Sequence, residues 1–392
     1  MKASVVTVGC KLNEAESSYM RGYLIKKGYR IVNVEEKPDL CIINTCTVTH
    51  KADRSSTAII RRLKRKLPDT RLVVTGCLLS TRYNVLKEID GIEILPLDKK
   101  QKLFHELPFT LRKRLFLKAQ DGCDRKCSYC IVSRIRKNLH SKPIEDIKKE
   151  IGYARENGYA EVVVVGLNLG LWGKDIGKDF VTLLKELSGI EYPRIRLSSI
   201  EPDLITQEVL KILSESFICK YLHIPIQHGD DEILERMGRR YKTKDIRDLF
   251  EKITKYLPEW NIGSDFIVGF PTESEKHFRN LVKTIEDSPI SHIHVFSYSD
   301  RPGVPSSFLS PKVPPKVIKE RNSIIRELGR RKSFEYRKRF KGKVLFSVQV
   351  DDKRVLTDNY IHVYVNSLNK ERSIIPVKIT KVFLHKTEGI VL

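Results

Sequence analysis

Six of the eight cysteines fall into two groups of three, and no other feature constrains the fold as much. The compact triplet, read from CDRKCSYC, is Cys123, Cys127 and Cys130. The dispersed triplet is Cys10, Cys46 and Cys77. Each dispersed cysteine follows an apolar run typical of a strand, in ASVVTVGC, CIINTC and LVVTGC. Because the carboxyl ends of parallel strands meet at one sheet edge, these distant thiols are predicted to converge there.

A site with three thiolates fits an iron–sulfur cluster better than a metal ion that is fully coordinated by four protein ligands. The Cys-x3-Cys-x2-Cys spacing can hold one face of a four-iron cube and leaves one iron without a protein ligand. Two such sites predict two [4Fe–4S] clusters and an enzyme that binds something at each open iron. A zinc site would need a fourth ligand, for which His140 is the nearby candidate. Three core cysteines are a further alternative, but Asp124, Arg125 and Lys126 are too polar for a core.

The remaining composition is that of a folded, multidomain chain in a reducing compartment. With 392 residues, 41% hydrophobic and 31% charged, two or three domains are expected. The sequence contains neither a signal peptide nor an apolar segment of membrane-spanning length, so a cytoplasmic location without membrane contact is predicted. Thiols stay reduced there, which favours metal binding or catalysis over disulfides. Cys41 and Cys219 lack partners and are predicted to be buried structural residues.

The net charge of +23 indicates a polyanionic partner, most simply a nucleic acid. Basic residues are densest in the segments 61–66 and 330–343. Smaller groups are Arg112, Lys113 and Arg114, and Arg134, Arg136 and Lys137. The alternative is charge scattered over the surface, as in many heat-adapted proteins.

Alternating strand and helix patterns predict an α/β protein of three domains. Residues 1–105 read as a Rossmann-like parallel α/β domain with strands at 3–9, 40–44, 71–75 and 92–95. Residues 106–332 contain six strand–helix units, which predict a partial (β/α)6 barrel with its site at the strand carboxyl ends. Its strands are predicted at 115–120, 161–166, 194–199, 221–226, 262–269 and 291–298. A basic helix at 316–339 leads into residues 333–392, whose alternating patterns predict a small antiparallel β-barrel.

Aromatic side chains in the last region are interleaved with Lys and Arg. They are Phe334, Tyr336, Phe340, Phe346 and Tyr360. Such rings can stack on bases while the cations hold phosphates, although most aromatics on strands belong to the core.

The compact triplet, with Tyr129 before its last cysteine, resembles the radical S-adenosylmethionine (SAM) superfamily. The segments VGCKLNEAES, INTCTVT and VTGC are similar to the N-terminal motifs of its methylthiotransferase family. VGLN, RLSSIEP, LHIPIQHG, ERMGRRY and GSDFIVGFPTE resemble that family's later motifs in order and spacing. The terminal β-barrel resembles its TRAM domain, so the likeness extends over the whole chain.

This resemblance implies a radical mechanism with two clusters. The compact triplet would hold the [4Fe–4S] cluster that binds SAM and cleaves it to methionine and a 5′-deoxyadenosyl radical. The dispersed triplet would hold an auxiliary [4Fe–4S] cluster that carries the sulfur to be inserted. A first SAM would methylate that sulfur, and a second would supply the radical that takes hydrogen from adenine C2. The implied partners are the tRNA anticodon stem-loop, an electron donor and a sulfur source, the last two unidentified.

The form GCKLN, with Lys11, resembles the bacterial branch that acts on N6-threonylcarbamoyladenosine 37 of tRNA. The alternatives within the family are isopentenyladenosine 37 of tRNA and an aspartate of a ribosomal protein. An alternative outside it is a non-catalytic RNA-binding protein that uses its metals structurally. Two incomplete ligand sets argue against that alternative, because a structural site is normally closed by a fourth ligand.

The family places cofactor contacts at or near the ends of the barrel strands. The candidates here are Tyr129, Gly166, Asn168, Ser198, Glu201, Gln227, Asp265, Gly269 and Glu273. A purely structural role is the alternative for each. Asp265 is charged within an apolar strand, which independently favours an inward position. His223 and His228 flank an apolar run and are predicted to be satisfied core or loop histidines.

The loop after the compact triplet departs from the family pattern. In CIVSRIRKNLHSK, Ser133 replaces a usual proline, and Lys137 replaces a usual glycine. We therefore expect this loop's contacts to cofactor or substrate to differ, while the cysteine ligands are unaffected.

Overall fold

The computed structural model describes residues 1–101, 106–366, 368 and 374–392. Their strands form a five-stranded sheet, a four-stranded sheet, a three-stranded sheet and a closed five-stranded barrel. The predicted α/β class with a C-terminal β-barrel is therefore confirmed. The predicted domain limit at residue 105 lies outside the described residues.

The N-terminal sheet is parallel, with strand order β2-β1-β3-β4-β5. Its strands are β1 (Lys2–Thr7), β2 (Arg30–Ile31), β3 (Leu40–Thr45), β4 (Arg71–Gly76) and β5 (Ile92–Ile94). Its helices are α1 (Lys11–Lys26), α2 (His50–Lys66), α3 (Leu79–Lys87) and α4 (Leu97–Gln101). Every residue of β3 is buried, as expected for a central strand covered on both faces. The two-residue strand β2 escaped prediction because it is too short to show a period.

The central strands run in barrel order, as predicted. They are β6 (Arg114–Asp121), β8 (Glu161–Gly166), β9 (Ile195–Leu197), β10 (Tyr221–His223), β11 (Asn261–Val268) and β12 (Ile290–Ser297). A bridge between Ile195 and Ile218 and a hydrogen bond from Ile200 N to His223 O link the two halves. An additional short strand, β7 (His140–Ser141), pairs antiparallel with β6.

Helices cover the outer face of this partial barrel. They are α5 (Val132–Ile135), α6 (Ile144–Glu156), α7 (Phe180–Ser188), α8 (Gln207–Glu215), α9 (Asp231–Arg236), α10 (Thr243–Tyr256) and α11 (Glu275–Glu286). Outward residues such as Leu117 and Val164 join the main core cluster under these helices. Lys118 and Glu161, on the same two strands, instead form buried ion pairs with charged side chains.

The C-terminal region begins with the long helix α12 (Pro315–Lys338), which contains the predicted limit at 332/333. The closed barrel follows with strands β13 (Val344–Asp351), β14 (Arg354–Thr357), β15 (His362–Tyr364), β16 (Ile375–Val382) and β17 (Thr387–Val391). All strand pairs are antiparallel except β15 with β17, which touch in parallel at one position.

Of the two alternatives for the terminal aromatics, base stacking or core packing, the structure supports core packing for Tyr336 and Phe340. Tyr336 and Phe340 belong to the core of the C-terminal barrel. Tyr360 stacks on Tyr221, with ring centroids 4.1 Å apart, and so closes one end of the central barrel. Phe346 is exposed and remains available to a partner.

Buried contacts join the three regions into one body. Leu12 and Ala15 of α1 pack against Val163 and Val165 on the inner face of the central barrel. On the other side of the N-terminal sheet, Arg301 Nη1 lies 2.7 Å from Asp53 Oδ2 of α2. None of the described helices has the length and apolar composition needed to cross a bilayer.

Candidate functional site

The dispersed triplet converges at the carboxyl edge of the N-terminal sheet. Cys46 directly follows β3 and Cys77 directly follows β4, and these strands are neighbours. Cys10 comes three residues after the end of β1, which pairs with β3 on its other side. Cys77 N–H donates to Thr45 O at 3.0 Å, so the two loops are held together. The topology thus places the three distant thiols at three adjacent strand ends.

Asn13 and Asn44 fix the loops that carry these thiols. Asn13 Nδ2 donates to Val8 O at 3.0 Å and to Thr45 O at 2.9 Å. Asn44 Nδ2 donates to Asn13 O at 2.9 Å. Both asparagines are buried, and together they tie the start of α1 to the β3 loop.

The compact triplet lies in the loop after β6, at the corresponding edge of the central barrel. Cys130 N–H donates to Cys127 O at 3.2 Å, which folds the loop tightly. Ser128 N–H donates to Met237 O, and its hydroxyl donates to Arg236 O, so the end of α9 supports the loop. All three thiols are partly accessible.

Burial and mutual repulsion raise the pKa of thiols in both triplets. Burial raises the pKa of Cys46 to about 11, and the charges of Cys10 and Cys77 add to the effect. Burial likewise raises the pKa of Cys123 to about 11, with contributions from Cys127 and Cys130. A cationic metal group would remove this penalty, because metal binding releases the thiol protons.

The thiols of each triplet are spaced too widely to bind a single zinc ion together. In neither triplet do all three sulfur atoms lie within 4.8 Å of one another. Ligand sulfurs around one tetrahedral zinc lie only about 3.8 Å apart, given its bond length. Thiol-only donor sets of three, spread more widely, suit the larger iron–sulfur cube.

Arg136 connects the two triplets. Its carbonyl accepts a hydrogen bond from Cys123 N–H at 3.0 Å. Its guanidinium lies 2.7 Å from both Glu16 Oε1 and Asp121 Oδ2, and 3.7 Å from Cys77 Sγ. The sequence had suggested Arg136 as part of a basic RNA-binding group, which is wrong, because its charge is used internally.

Three of the predicted cofactor contacts lie around the compact triplet. Asn168 is 4% exposed, and neither polar atom of its side chain has a hydrogen-bond partner of normal geometry. The side chain of Asn168 lies close enough to Cys123 to lower the pKa of its thiol. Tyr129 OH and Glu201 both bind Arg239, whose Nη1 lies 3.2 Å from Cys127 Sγ.

Sequence reasoning missed Arg239, although it stands in the quoted segment ERMGRRY. It is 112 residues from Cys127, and only the fold brings them together. A buried guanidinium beside a thiol and a carboxylate can orient an anionic ligand group. The unpartnered amide of Asn168 offers a further donor and acceptor in the same place.

Other predicted contacts have structural partners. Gly166 N–H donates to Ser198 Oγ at 3.0 Å, which links β8 to the end of β9. Gln227 has a positive φ of 73°, and its main chain pairs with Asp265 O and Ile267 N–H of β11.

Gly269 and Glu273 are bound to each other. Gly269 N–H donates to Glu273 Oε2 at 2.9 Å, and Arg321 lies 2.6 Å from Glu273 Oε1. Both oxygens of this fully buried carboxylate therefore have protein partners. These contacts favour a structural role for Glu273 over cofactor binding. His228 is also fully buried, and its Nε2 lies 3.4 Å from Glu273. His228 is a buried core histidine, as predicted, although its ring nitrogens make no hydrogen bond of normal geometry among the described residues.

Asp265 faces the barrel interior among several rings, as predicted from its strand. Its carboxylate lies 3.0 Å from His223 Nε2 and 3.7 Å from His294 Nδ1. His223 also bonds Tyr221 OH at 3.0 Å, so it is the satisfied histidine that the sequence predicted.

Lys11, the first residue of α1, also enters this interior. Its Nζ lies 5.7 Å from the centroid of the Tyr360 ring. The positive charge of Lys11 contributes to lowering the pKa of Asp265 and of His294. No carboxylate among the described residues forms an ion pair with it, so it is a partly buried cation without a direct counter-ion.

Cys41 and Cys219 lie outside both triplets. Cys41 is buried in the core of the N-terminal sheet. Cys219 is 3% exposed, and its sulfur lies 3.9 Å from Glu161.

Known families match two long stretches of the chain. Residues 117–285 match the Radical SAM superfamily, and residues 2–95 match a family described as Uncharacterized protein family UPF0004. The first match begins within β6 and includes the compact triplet, and the second includes the dispersed triplet.

Two curated relatives match nearly the whole chain. The Threonylcarbamoyladenosine tRNA methylthiotransferase MtaB of Aquifex aeolicus is 35% identical, over 93% of this chain and 96% of its own length. The Ribosomal protein uS12 methylthiotransferase RimO of Thermosipho africanus is 32% identical, over 90% of this chain and 88% of its own length.

Among solved structures, the chain resembles the radical S-adenosylmethionine methyltransferase TsrM of Kitasatospora setae. The TM-score is 0.56 at 13% identity, covering 78% of this chain and 77% of that chain. At this identity, the likeness concerns the fold alone.

Proposed function

Because this chain belongs to the radical SAM methylthiotransferase family, we propose that it adds a methylthio group to C2 of N6-threonylcarbamoyladenosine 37 in tRNA. Enzymes of this superfamily bind a [4Fe–4S] cluster and SAM. A second cluster on the dispersed triplet, tRNA as substrate and a cytoplasmic location are parts of the proposal. The reaction also needs a one-electron reductant and a sulfur source.

The observation that carries the proposal is the arrangement of the two triplets. Each offers three free thiols, and Arg136 contacts both. Cys123, Cys127 and Cys130 would hold the cluster that provides the electron for SAM cleavage. A substrate base between the two sites would therefore be within reach of both radical formation and sulfur transfer.

The protein's own residues bind and orient the reactants. Arg239 and Asn168 lie beside the compact triplet and can hold the charged methionine part of SAM. The packing of α1 on β8 covers the barrel interior and excludes bulk water, which protects a radical from side reactions.

Lys11 supports a substrate that carries a carboxylate. The threonylcarbamoyl group ends in a carboxylate, whereas an isopentenyl group is apolar and offers nothing to a cation. Burial lowers the pKa of Lys11, and an anionic ligand would supply the direct ion pair that Lys11 lacks among the described residues. An aspartate substrate would also satisfy this cation, so the ribosomal-protein activity of the RimO relative is the second candidate.

A basic groove between α12 and the C-terminal barrel favours RNA over a ribosomal protein as the substrate. Its volume is about 530 Å³. Its lining includes Arg326, Arg330, Arg337, Arg354, His385 and Lys386. We expect tRNA binding through these cations to weaken steeply with added salt, and binding that does not respond to salt would contradict it.

Mass spectrometry of tRNA nucleosides and of ribosomal proteins, from cells with and without this chain, tests the function. We expect loss of 2-methylthio-N6-threonylcarbamoyladenosine in cells without it. Loss of the isopentenyl product, or of the modified ribosomal aspartate, would instead assign the chain to another branch.

Lys11→Gln tests the basis of the substrate choice. We expect kcat/KM for threonylcarbamoyl-modified tRNA to fall about 10- to 100-fold, the worth of a charged hydrogen bond. SAM cleavage without tRNA should be unchanged. Lys27→Gln, an exposed lysine just after the same helix, is the matched control. Equal activity in both variants would exclude Lys11 from substrate recognition.

A further inference from the structure

One buried side chain reaches from the loop of one triplet to a thiol of the other. Arg136 ends the short segment after Cys130 and lies 59 residues from Cys77 in sequence. Its guanidinium is 12% exposed, and it binds Glu16, which is 1% exposed. It therefore has little freedom to leave this position.

The carboxylates around Arg136 hold it in place. Nη1 contacts Glu16 Oε1 and Asp121 Oδ2, and Nη2 contacts Glu16 Oε2 at 3.1 Å. Glu16 belongs to α1, the helix that begins next to Cys10, and Asp121 ends β6, just before the compact triplet. The same Nη2 group is the one directed at Cys77 Sγ, at 3.7 Å. A planar fork with several fixed donors can serve all these acceptors, which an ammonium cannot.

Resting on the proposed function, we propose that Arg136 is a positioning residue for the auxiliary cluster. Its backbone carbonyl fixes the start of the compact loop, and its guanidinium orients Cys77 and donates a hydrogen bond to the sulfur. Hydrogen bonds and positive charge at ligand sulfurs stabilise the reduced state of an iron–sulfur cluster. Arg136 would thus raise the reduction potential of the dispersed site.

This placement also gives a reason for the unusual loop sequence. Ser133 and Lys137 flank Arg136, and Ser133 Oγ donates to Cys130 O at 3.1 Å. The serine hydroxyl thus makes a loop contact that a proline could not make. Lys137 is exposed, so it does not compete for Glu16.

The test uses full-length protein in which Cys123, Cys127 and Cys130 are changed to Ala, so that only the dispersed site takes up a cluster. Arg136→Gln and Arg136→Lys are introduced into this protein, and the midpoint potential is measured by a redox titration followed by EPR. We expect both variants to lower the ratio of reduced to oxidised cluster about tenfold at fixed potential, a shift of about 59 mV.

Arg301→Gln is the matched control. Arg301 is another buried arginine that ties the N-terminal sheet to the barrel, through Asp53 and Thr47, with no sulfur contact among the described residues. We expect its loss to leave the potential unchanged. An unchanged potential in Arg136→Gln, or an equal shift in Arg301→Gln, would overturn the proposal.

Failure of the proposed function has a different signature. If the protein that lacks Cys123, Cys127 and Cys130 forms no cluster, the auxiliary site itself is wrong and Arg136 loses its role with it. If the cluster forms and its midpoint potential is the same with and without the Arg136 side chain, only the positioning role is wrong.

Discussion

The compact triplet comes from eight consecutive residues, whereas the dispersed triplet comes from the ends of three adjacent strands. The first needs one loop, held by the end of α9. The second needs the correct register of a sheet and two buried asparagines. The same set of donors can therefore be built from local or from long-range structure. We expect the dispersed site to depend more on the integrity of the fold.

Removing one triplet at a time has the largest expected effect. Changing the compact triplet to Ala should leave about four irons per chain and abolish SAM cleavage. Changing the dispersed triplet should also leave about four irons but keep cleavage, while the methylthio product disappears. Iron analysis and 5′-deoxyadenosine release measure both. Full cleavage without the compact triplet would reverse the assignment of the two sites.

Single glycine substitutions test whether each site can lose its cluster without affecting the other. Gly76 (φ +105°) and Gly122 (φ +77°) each precede a cysteine in a conformation that side chains rarely adopt. A Cβ at Gly76 would lie 2.4 Å from Thr45 O, and one at Gly122 would lie 1.8 Å from Asn138 O. We expect Gly76→Ala to lose iron from the dispersed site alone and Gly122→Ala from the compact site alone. Loss of both clusters in either variant would show that the sites assemble together.

Glu161→Gln is expected to weaken the whole fold and so affect both sites equally. Glu161 is fully buried against Arg114, Arg194 and Arg196, at 2.7 to 3.0 Å. Leaving these guanidiniums without their carboxylate should cost about 3–5 kcal/mol in the free energy of unfolding. Denaturant unfolding at neutral pH measures this loss.

The same variant has a predictable pH dependence. Burial opposes ionisation, but the charges of Arg196, Arg114 and Arg194 hold the pKa of Glu161 well below its usual range. Its stabilising effect is therefore complete above the unfolded-state pKa and is lost as the pH falls through the lower folded value. The difference between wild type and variant should shrink under acid, and a difference that grows there would be inconsistent with this account.

Cysteines outside the triplets should give the smallest effect. Cys41→Ala removes one buried sulfur from the core of the N-terminal sheet and should cost about 1 kcal/mol. Iron content and product formation should be unchanged. Any loss of iron would mean that the division into two triplets is incomplete.

The sequence predicted the parts of the site that depend on local patterns. Cys123, Cys127 and Cys130 are recognisable from their spacing, and the apolar strands before Cys46 and Cys77 show where those residues meet. The single charge in an otherwise apolar strand likewise predicted that Asp265 faces inward.

Long-range contacts between charged side chains were not predictable. Arg136 and Arg239 meet their thiols across 59 and 112 residues, and nothing in the local sequence distinguishes them from the many surface cations. The sequence also left two roles open for the aromatics Tyr336 and Phe340. Basic neighbours favour RNA contact, and only the tertiary fold shows that these rings pack into a core.

The end of the central barrel closed by Tyr360 has a consequence for how the chain is made. Arg194 donates to Phe346 O and Leu356 O, and Arg196 donates to Thr357 O and Asp358 O. Phe346 is synthesised 152 residues after Arg194. Until then, these guanidiniums have Glu161 but lack their carbonyl acceptors. A chain that ended before this segment would leave both guanidiniums without these acceptors, so the last segment completes the packing at this end of the central barrel.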